Sequence, residues 1–170
     1  FSIDIAQAWE RTQTEHVTPN TRQVALRSAM VMSPDAGGIF SVLSRLTRCG
    51  LGGSIAGGRQ FVSWIHEVDF CAAVRFILSS DDLTGPVNLA SPNPLPQRDF
   101  MRQLRSAWKV PIGLPATAWM AKIGAVFLRT DTELILKSRR VVPTRLLEHG
   151  FRFQFPNWSD AANELVQRSR

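Results

Sequence analysis

Two short apolar runs, separated by stretches with helical spacing, constrain the fold of this chain more than any other feature. The first, Val24–Met32, is interrupted by a single arginine, and the second, Val87–Ala90, follows a Gly-Pro pair. Apolar runs of this length are typical of strands buried in a mostly parallel sheet. Between them, Ile39–Arg48 and Val68–Ser79 place apolar residues at helical spacing. The pattern predicts an α/β fold with too few strands for a complete doubly wound sheet.

The rest of the chain continues this alternation of short elements. Phe151–Phe155 alternates aromatic and polar residues with a period of two, which predicts a strand. Asn157–Gln167 is predicted to be a helix capped by Asn157 or Ser159. The other predicted elements are the end of an amphipathic helix at residues 1–10, extended segments at Phe61–Ile65 and Ile112–Leu114, a rigid connector at Ser91–Pro96, helices at Asp99–Trp108, Ala116–Leu128 and Pro143–Glu148, and a short piece at Glu133–Lys137.

The composition is that of a basic chain able to form a core. Of 170 residues, 44% are hydrophobic and 20% are charged, which excludes wholesale disorder. The net charge of +6 favours anionic partners, among them phosphate-bearing small molecules. Because the basic residues are spread along the chain, with Arg139-Arg140 as the densest cluster and no basic arm, a nucleic-acid-binding domain is the weaker alternative.

The cysteines, histidines and apolar segments bear on compartment and metal binding. Cys49 and Cys71 stand in no metal-binding spacing and fit buried, reduced thiols of a cytoplasmic protein. The histidines are scattered, so we expect no metal site. We expect no membrane segment, since no apolar run approaches the ~20 residues that a span requires. The chain opens at Phe1 within a helical pattern, which we interpret as a fragment of a longer protein.

Seven of the eleven glycines fall between Gly37 and Gly58, and they leave two interpretations open. Amide groups of the Gly50–Gly58 loop could cradle a phosphate, with Arg59 adding a cation. The spacing matches neither of the two common nucleotide-binding glycine motifs, however. A surface loop between a helix and a strand is the alternative that we favour.

The most distinctive string surrounds His66, which precedes a predicted helix and lies three residues before Asp69. These two side chains could form an acid–base pair. A structural pairing at the strand–helix junction, in which the carboxylate accepts N–H bonds, is the interpretation that we favour. Ser63 lacks the glycine context of a hydrolase nucleophile. Trp64 and Trp158 are predicted to belong to the core.

Four segments, taken in order, resemble the C-terminal half of the epimerase-like extended short-chain dehydrogenase/reductases, in particular an atypical group of nucleoside-diphosphate-sugar epimerases with a small C-terminal domain of unknown function. The segments are VALRSAMVM (Val24–Met32), GGSIAGGRQFVSWIHEVDF (Gly52–Phe70), GPVNLASPNP (Gly85–Pro94) and SRRVVPTRLLEHGFRFQF (Ser138–Phe155). The resemblance implies the C-terminal part of a Rossmann-type domain that binds NAD or NADP, at residues 1–90. A small α/β domain that holds the substrate is implied at residues 91–170.

The same resemblance implies the site residues. Near the cofactor it places the end of the first apolar run, namely Arg27, Ser28 and Ala29. Toward an anionic substrate such as a nucleotide sugar it places Arg59, Gln60, His66, Asn88 and Arg140. The implied partner within the protein is an upstream Rossmann portion, and the implied reaction is hydride transfer through the nicotinamide.

Two features of active family members do not appear in this sequence. The glycine fingerprint for the dinucleotide belongs to a strand–helix unit that the chain does not contain. The resemblance implies that the Tyr-x-x-x-Lys pair belongs to the helix that ends at residues 1–10; if Phe1 holds the Tyr position, Ile5 holds that of the Lys, and the chain has no tyrosine at all. We therefore assign no catalytic residue and expect the isolated chain to be inactive. The alternative is a non-catalytic interaction or ligand-binding module.

Overall fold

A computed structural model of the protein describes residues 2–16, 18–115 and 138–170. The helices in this part of the chain are α1 (Ser2–Glu15), α2 (Ile39–Arg48), α3 (Glu67–Ser79), α4 (Gln97–Trp108), α5 (Thr144–Glu148) and α6 (Trp158–Arg168). The strands are β1 (Val24–Ser28), β2 (Met30–Met32), β3 (Phe61–Val62), β4 (Trp64–His66), β5 (Gly85–Leu89) and β6 (Leu95–Pro96).

The two apolar runs form parallel strands, as predicted, but the first run is divided. β1 pairs in parallel with β5, whereas β2 pairs in parallel with β4. The division falls at Ala29, whose N–H donates to the carbonyl of Leu89 at 2.9 Å, while the N–H of Met30 faces the carbonyl of Ser63 at 3.4 Å. The chain thus changes its hydrogen-bonding partner within one apolar run. The α/β fold class, with small parallel sheets, is confirmed.

Most predicted helices lie where the apolar spacing put them, and α2 has the predicted limits. The first helix is longer than expected, since it continues to Glu15. Within the predicted connector, Leu95 and Pro96 pair antiparallel with β3. Ile112–Leu114 forms no strand. The predictions for Phe1, Ala116–Leu128 and Glu133–Lys137 fall outside the described residues.

The strand predicted at Phe151–Phe155 is wrong. The carboxylate of Asp69 accepts the N–H groups of Gln154 at 2.7 Å and Phe155 at 2.9 Å, and Phe151 donates to the carbonyl of Leu146. The Asp69 carboxylate and a carbonyl of α5 therefore accept the N–H groups that would otherwise donate to a neighbouring strand. The alternating aromatics still reach the interior, where Phe151 contacts Phe153 edge-on.

Two groups of buried side chains form the core, and both contain residues from either side of position 90. In the first, Trp158 stacks on Phe100 with the ring centroids 4.0 Å apart and donates to the Phe100 carbonyl. This group also includes Met32, Phe40, Trp64, Met101, Leu104, Ala161, Ala162, Leu165 and Val166. The second comprises Ile65, Ala73, Ile77, Leu83, Val87, Leu89, Leu146 and Phe151. The division at residue 90 into two domains stays a prediction.

The exposure of the cysteines and the length of the helices can be read from the structure. The prediction of buried thiols is wrong, because Cys49 and Cys71 are both exposed and unpaired. Among the helices that the structure describes, none is long and apolar enough to cross a bilayer.

Candidate functional site

A cavity of about 680 Å³ opens where the carboxyl ends of β1 and β5 meet β3 and the segment before α5. Its lining comprises Arg27, Ser28, Ala29, Met30, Gln60, Phe61, Val62, Ser63, Asn88, Arg139, Arg140, Val141, Val142 and Thr144. The carboxyl ends of parallel strands are the usual place for ligand sites in α/β folds. We therefore treat this cavity as the candidate site.

The fold brings together most of the residues that sequence reasoning selected, although they are distant in the chain. The predicted residues that line the cavity are Arg27, Ser28, Ala29, Gln60, Asn88 and Arg140. Arg59 and His66 are not part of its lining. Sequence reasoning did not assign Ser63 or Arg139 to the site; the only signal for Arg139 was its place in the densest basic pair.

The charge of Arg27 is compensated within the fold. Its Nε and Nη2 atoms each lie 2.6 Å from a carboxylate oxygen of Glu10 on α1, in a two-pronged ion pair. The hydrogen bond from the guanidinium lowers the pKa of the Glu10 carboxyl, and the carboxylate in turn raises the pKa of Arg27. Arg27 thus joins the first helix to the cavity wall instead of offering a free cation.

Arg139 and Arg140 supply positive charge that the described residues leave uncompensated. Both side chains are exposed, and no carboxylate within residues 2–16, 18–115 or 138–170 forms an ion pair with either. The guanidinium of Arg140 lies 5.1 Å from the ring centre of Phe61, in cation–π geometry. The cavity wall accordingly favours an anion at this place.

A polar network holds the arginine segment against β3. The hydroxyl of Ser63 donates to the carbonyl of Arg139 at 2.7 Å and accepts the N–H of Val141 at 2.9 Å. The amide of Asn88, predicted to contact the substrate, donates to the carbonyl of Val142 at 3.3 Å. These bonds join residues more than fifty positions apart, so no local sequence pattern could have revealed them.

The glycine-rich loop packs against α4. Gln97, which is buried, accepts the N–H of Ile55 and donates to the carbonyl of Gly53. The first N–H groups of α4 donate to the carbonyls of Gln60 and Gly58. Here the loop provides acceptors to a helix end, which is consistent with the surface-loop interpretation. Arg59 projects from it as an exposed side chain.

His66 lies in the core and not in the cavity. Its ring is fully buried, with Nε2 at 2.9 Å from a carboxylate oxygen of Glu164 and Nδ1 accepting the N–H of Val68 at 3.1 Å. It also stacks on Phe155. Asp69 is buried as well, and it accepts N–H groups from the segment before α6 instead of from its own helix. His66 and Asp69 therefore both have structural contacts, but each pairs with other residues and they do not pair with each other.

The chemistry available in the described cavity wall is binding. The titratable side chains in the lining are arginines, beside amides and hydroxyls. Arginine stays protonated at ordinary pH, so these groups can neutralise and orient an anion. No group of three or more potential metal-binding side chains occurs within the ranges that the structure covers.

Comparisons with known proteins show what this chain is similar to. A family described as "Domain of unknown function (DUF1731)" matches residues 116–165. Epimerase family protein SERP0438 of Staphylococcus epidermidis is 31% identical over 169 residues, which make up 98% of this chain and 54% of that protein. Epimerase family protein SDR39U1 of Bos taurus is 34% identical over 148 residues, 86% of this chain and 49% of that protein.

A solved structure extends the likeness to the fold. The human epimerase family protein SDR39U1 (isoform2), crystallised with NADPH, has a TM-score of 0.84 and 27% identity to this chain. The match covers 96% of this chain and 54% of the human one. The chain spans about half the length of the curated relatives it matches. In sequence and in fold, it corresponds to the C-terminal half of the epimerase family proteins of the short-chain dehydrogenase/reductase type.

Proposed function

We propose that this chain forms the substrate-side part of an NAD(P)-dependent nucleoside-diphosphate-sugar epimerase or related oxidoreductase. The observation that carries the proposal is the pair Arg139 and Arg140, which face the cavity without carboxylate partners in the described part of the chain. A diphosphate group presents the charge and the oxygen acceptors that guanidinium groups bind best. Gln60 and Asn88 stand beside them as polar groups suited to sugar hydroxyls.

We further propose that a nicotinamide dinucleotide binds at the part of the cavity wall formed by Arg27, Ser28 and Ala29. The human relative binds NADPH, and Arg27, Ser28 and Ala29 would line the nicotinamide end of such a cofactor. When bound, the cofactor would supply hydride transfer, while this chain would position the substrate. Because the sequence contains no dinucleotide fingerprint, the remaining contacts would come from an upstream Rossmann portion.

Exposed apolar surface near β1 supports an upstream partner. Within the described residues, β1 pairs along one edge only, with β5. Leu26 on this strand is 45% exposed, and Trp9 on the neighbouring helix is 75% exposed. Where such side chains form a contiguous exposed patch, they mark a surface that a partner covers. The proposed occupant is the portion of the relatives that this chain does not match.

The cofactor proposal is tested by titrating NADPH into the full translated product that contains these 170 residues, with nicotinamide fluorescence as the readout. We expect saturable binding there and none by the isolated chain. Absence of binding by the full product would overturn the cofactor assignment. Binding that is equally tight to the isolated chain would contradict the need for an upstream portion.

The anion site is tested by Arg140→Gln, which removes the cation but retains a polar side chain. We expect its affinity for inorganic pyrophosphate to fall about tenfold, the effect of losing one charge-assisted hydrogen bond. Isothermal titration calorimetry measures the change. Arg152→Gln, at an exposed position away from the cavity, makes the same change in net charge and serves as the control. Equal losses in both variants would show that only overall charge matters.

A second candidate function is a ligand-binding module without catalysis. It is favoured by the cavity wall, whose described residues supply no group able to transfer a proton at neutral pH. The two proposals differ in turnover. Epimerase activity of the full product with a nucleotide sugar would exclude the module, whereas ligand binding without turnover would support it.

A further inference from the structure

Ser63 makes an unusual pair of contacts at the back of the cavity. It is only 7% exposed, and its single hydroxyl bonds to two backbone groups of the segment before α5. It donates to the carbonyl of Arg139 and accepts the N–H of Val141. These groups belong to the residues on either side of Arg140, so the Ser63 hydroxyl fixes the backbone from which the Arg140 side chain projects.

Further contacts hold the same segment. The N–H of Phe61 donates to the hydroxyl of Ser138 at 3.0 Å, and the N–H of Arg139 donates to the carbonyl of Phe61 at 3.0 Å. The Phe61 ring lies under the guanidinium of Arg140. Arg140 is therefore held both at its backbone and at its charged end, although its side chain is exposed to solvent.

Such restraint matters for binding, because a long side chain loses conformational entropy when a ligand immobilises it. Part of this loss is avoided when the side chain is already held in the bound position. A buried serine that fixes the arginine backbone therefore increases affinity without touching the ligand. Ser63 lacks the glycine context of a hydrolase nucleophile, and its hydrogen bonds give it a different role.

We propose that Ser63 is a positioning residue, whose hydroxyl fixes the backbone around Arg140 so that the guanidinium is oriented for an anionic ligand. The inference rests on the proposed function, since it assumes that the cavity binds an anion. It predicts that Ser63 affects anion affinity through Arg140 and not through the stability of the fold.

The test is a double-mutant cycle on the full chain, with inorganic pyrophosphate as the probe and isothermal titration calorimetry as the readout. We expect Ser63→Ala to weaken binding about fivefold in the natural background, the scale of one lost hydrogen bond. In the Arg140→Gln background, the same change has no further effect, because the residue through which Ser63 acts is already absent.

Ser91→Ala is the matched control. Ser91 is also buried, and its hydroxyl donates to the carbonyl of Pro156 at 2.8 Å, away from the residues that line the cavity. We expect this variant to lose stability but to keep its affinity for pyrophosphate. Should Ser63→Ala fail to fold, Ser63→Cys, which keeps the size but donates weakly, takes its place in the cycle.

The outcomes separate the two proposals. If the natural chain does not bind pyrophosphate, the proposed anion site is wrong, and the positioning role of Ser63, which depends on that site, is wrong as well. If the natural chain binds and the Ser63 variant binds equally well, the anion site stands and the positioning role is overturned. An equal loss of affinity from the Ser63 change in both backgrounds also overturns it, since the residue would then act through the fold.

Discussion

His66 shows how a residue that attracts a catalytic interpretation can belong to the core. Its Nδ1 accepts the N–H of Val68 at the start of α3, which leaves the ring proton on Nε2, where it can donate to Glu164. Arg168 pairs with the same glutamate and with Glu67. The network thereby joins the last helix to the junction of β4 and α3.

These contacts predict a structural effect for His66→Phe. The ring volume is largely kept, but Val68 and Glu164 both lose a buried partner, so we expect the free energy of unfolding to fall by about 2–3 kcal/mol. Urea denaturation measures this change. The same substitution at the exposed His16 should alter stability by less than about 0.5 kcal/mol. If a stable His66→Phe variant instead loses affinity for pyrophosphate, His66 contributes to ligand binding and the structural interpretation is wrong.

The ion pair between Glu10 and Arg27 predicts a dependence of stability on pH. The hydrogen bond from Arg27 lowers the pKa of Glu10 below its ordinary value of 4.5. A carboxyl with a lowered pKa stabilises the folded state above its unfolded pKa, and this contribution is lost as the pH falls through the lower, folded value. We therefore expect Glu10→Gln to be less stable than the natural chain at pH 7, and we expect this difference to become smaller as the pH falls toward 3.

Thermal unfolding at both pH values, at low salt, measures the difference, because salt screens exposed ion pairs. Glu15→Gln removes the same charge from the same helix without touching Arg27, and it should show a smaller dependence on pH. If Glu10→Gln is less stable than the natural chain by the same amount at pH 3 as at pH 7, the ion-pair explanation is contradicted.

At the scale of elements, the glycine-rich loop has a requirement that its sequence did not reveal. Gly57 and Gly58 both have positive φ, at +85° and +64°. A Cβ at Gly57 would meet nothing within 4 Å, whereas one at Gly58 would lie 2.7 Å from the Cβ of Arg98 on α4. The two neighbours thus share the backbone constraint and differ in the space around them.

Alanine substitutions separate these two constraints. Gly57→Ala carries only the left-handed backbone strain, and we expect it to cost about 1 kcal/mol. Gly58→Ala adds the overlap with α4, and we expect a cost of about 3 kcal/mol. Chemical denaturation of both variants provides the comparison. Equal costs would mean that the loop can move away from the helix and is not fixed by the contact.

Local pattern predicted those elements whose hydrogen bonds are local. Helix α2 is one, because its apolar spacing and its backbone bonds lie within the same ten residues. Phe151–Phe155 has an equally clear pattern, but its N–H groups are taken by Asp69, more than eighty positions earlier. In the cavity, the resemblance to a family identified Arg140, whereas Ser63 could be recognised only from bonds that the folded chain makes.

The whole molecule depends on contacts between its two sequence halves. Trp64 and Trp158 meet edge-on with ring centroids 5.0 Å apart, and Ile65 shares a buried group with Leu146. Helices α4 and α6 pack against each other and cover residues of β2 and β4. In the part of the chain that the structure describes, both groups of buried side chains draw on residues from each half.

This shared core predicts that the chain unfolds in one cooperative step. Residues 1–90 produced alone would leave Met32, Phe40 and Trp64 without the aromatic and aliphatic partners from α4 and α6. Their exposure to water would remove much of the hydrophobic stabilisation, so we expect the shortened chain to show no cooperative unfolding. Calorimetry of the full chain should show a single transition with equal calorimetric and van't Hoff enthalpies. Two separate transitions, or a cooperative transition in residues 1–90 alone, would mean that the halves fold independently and that the contacts between them contribute little to stability.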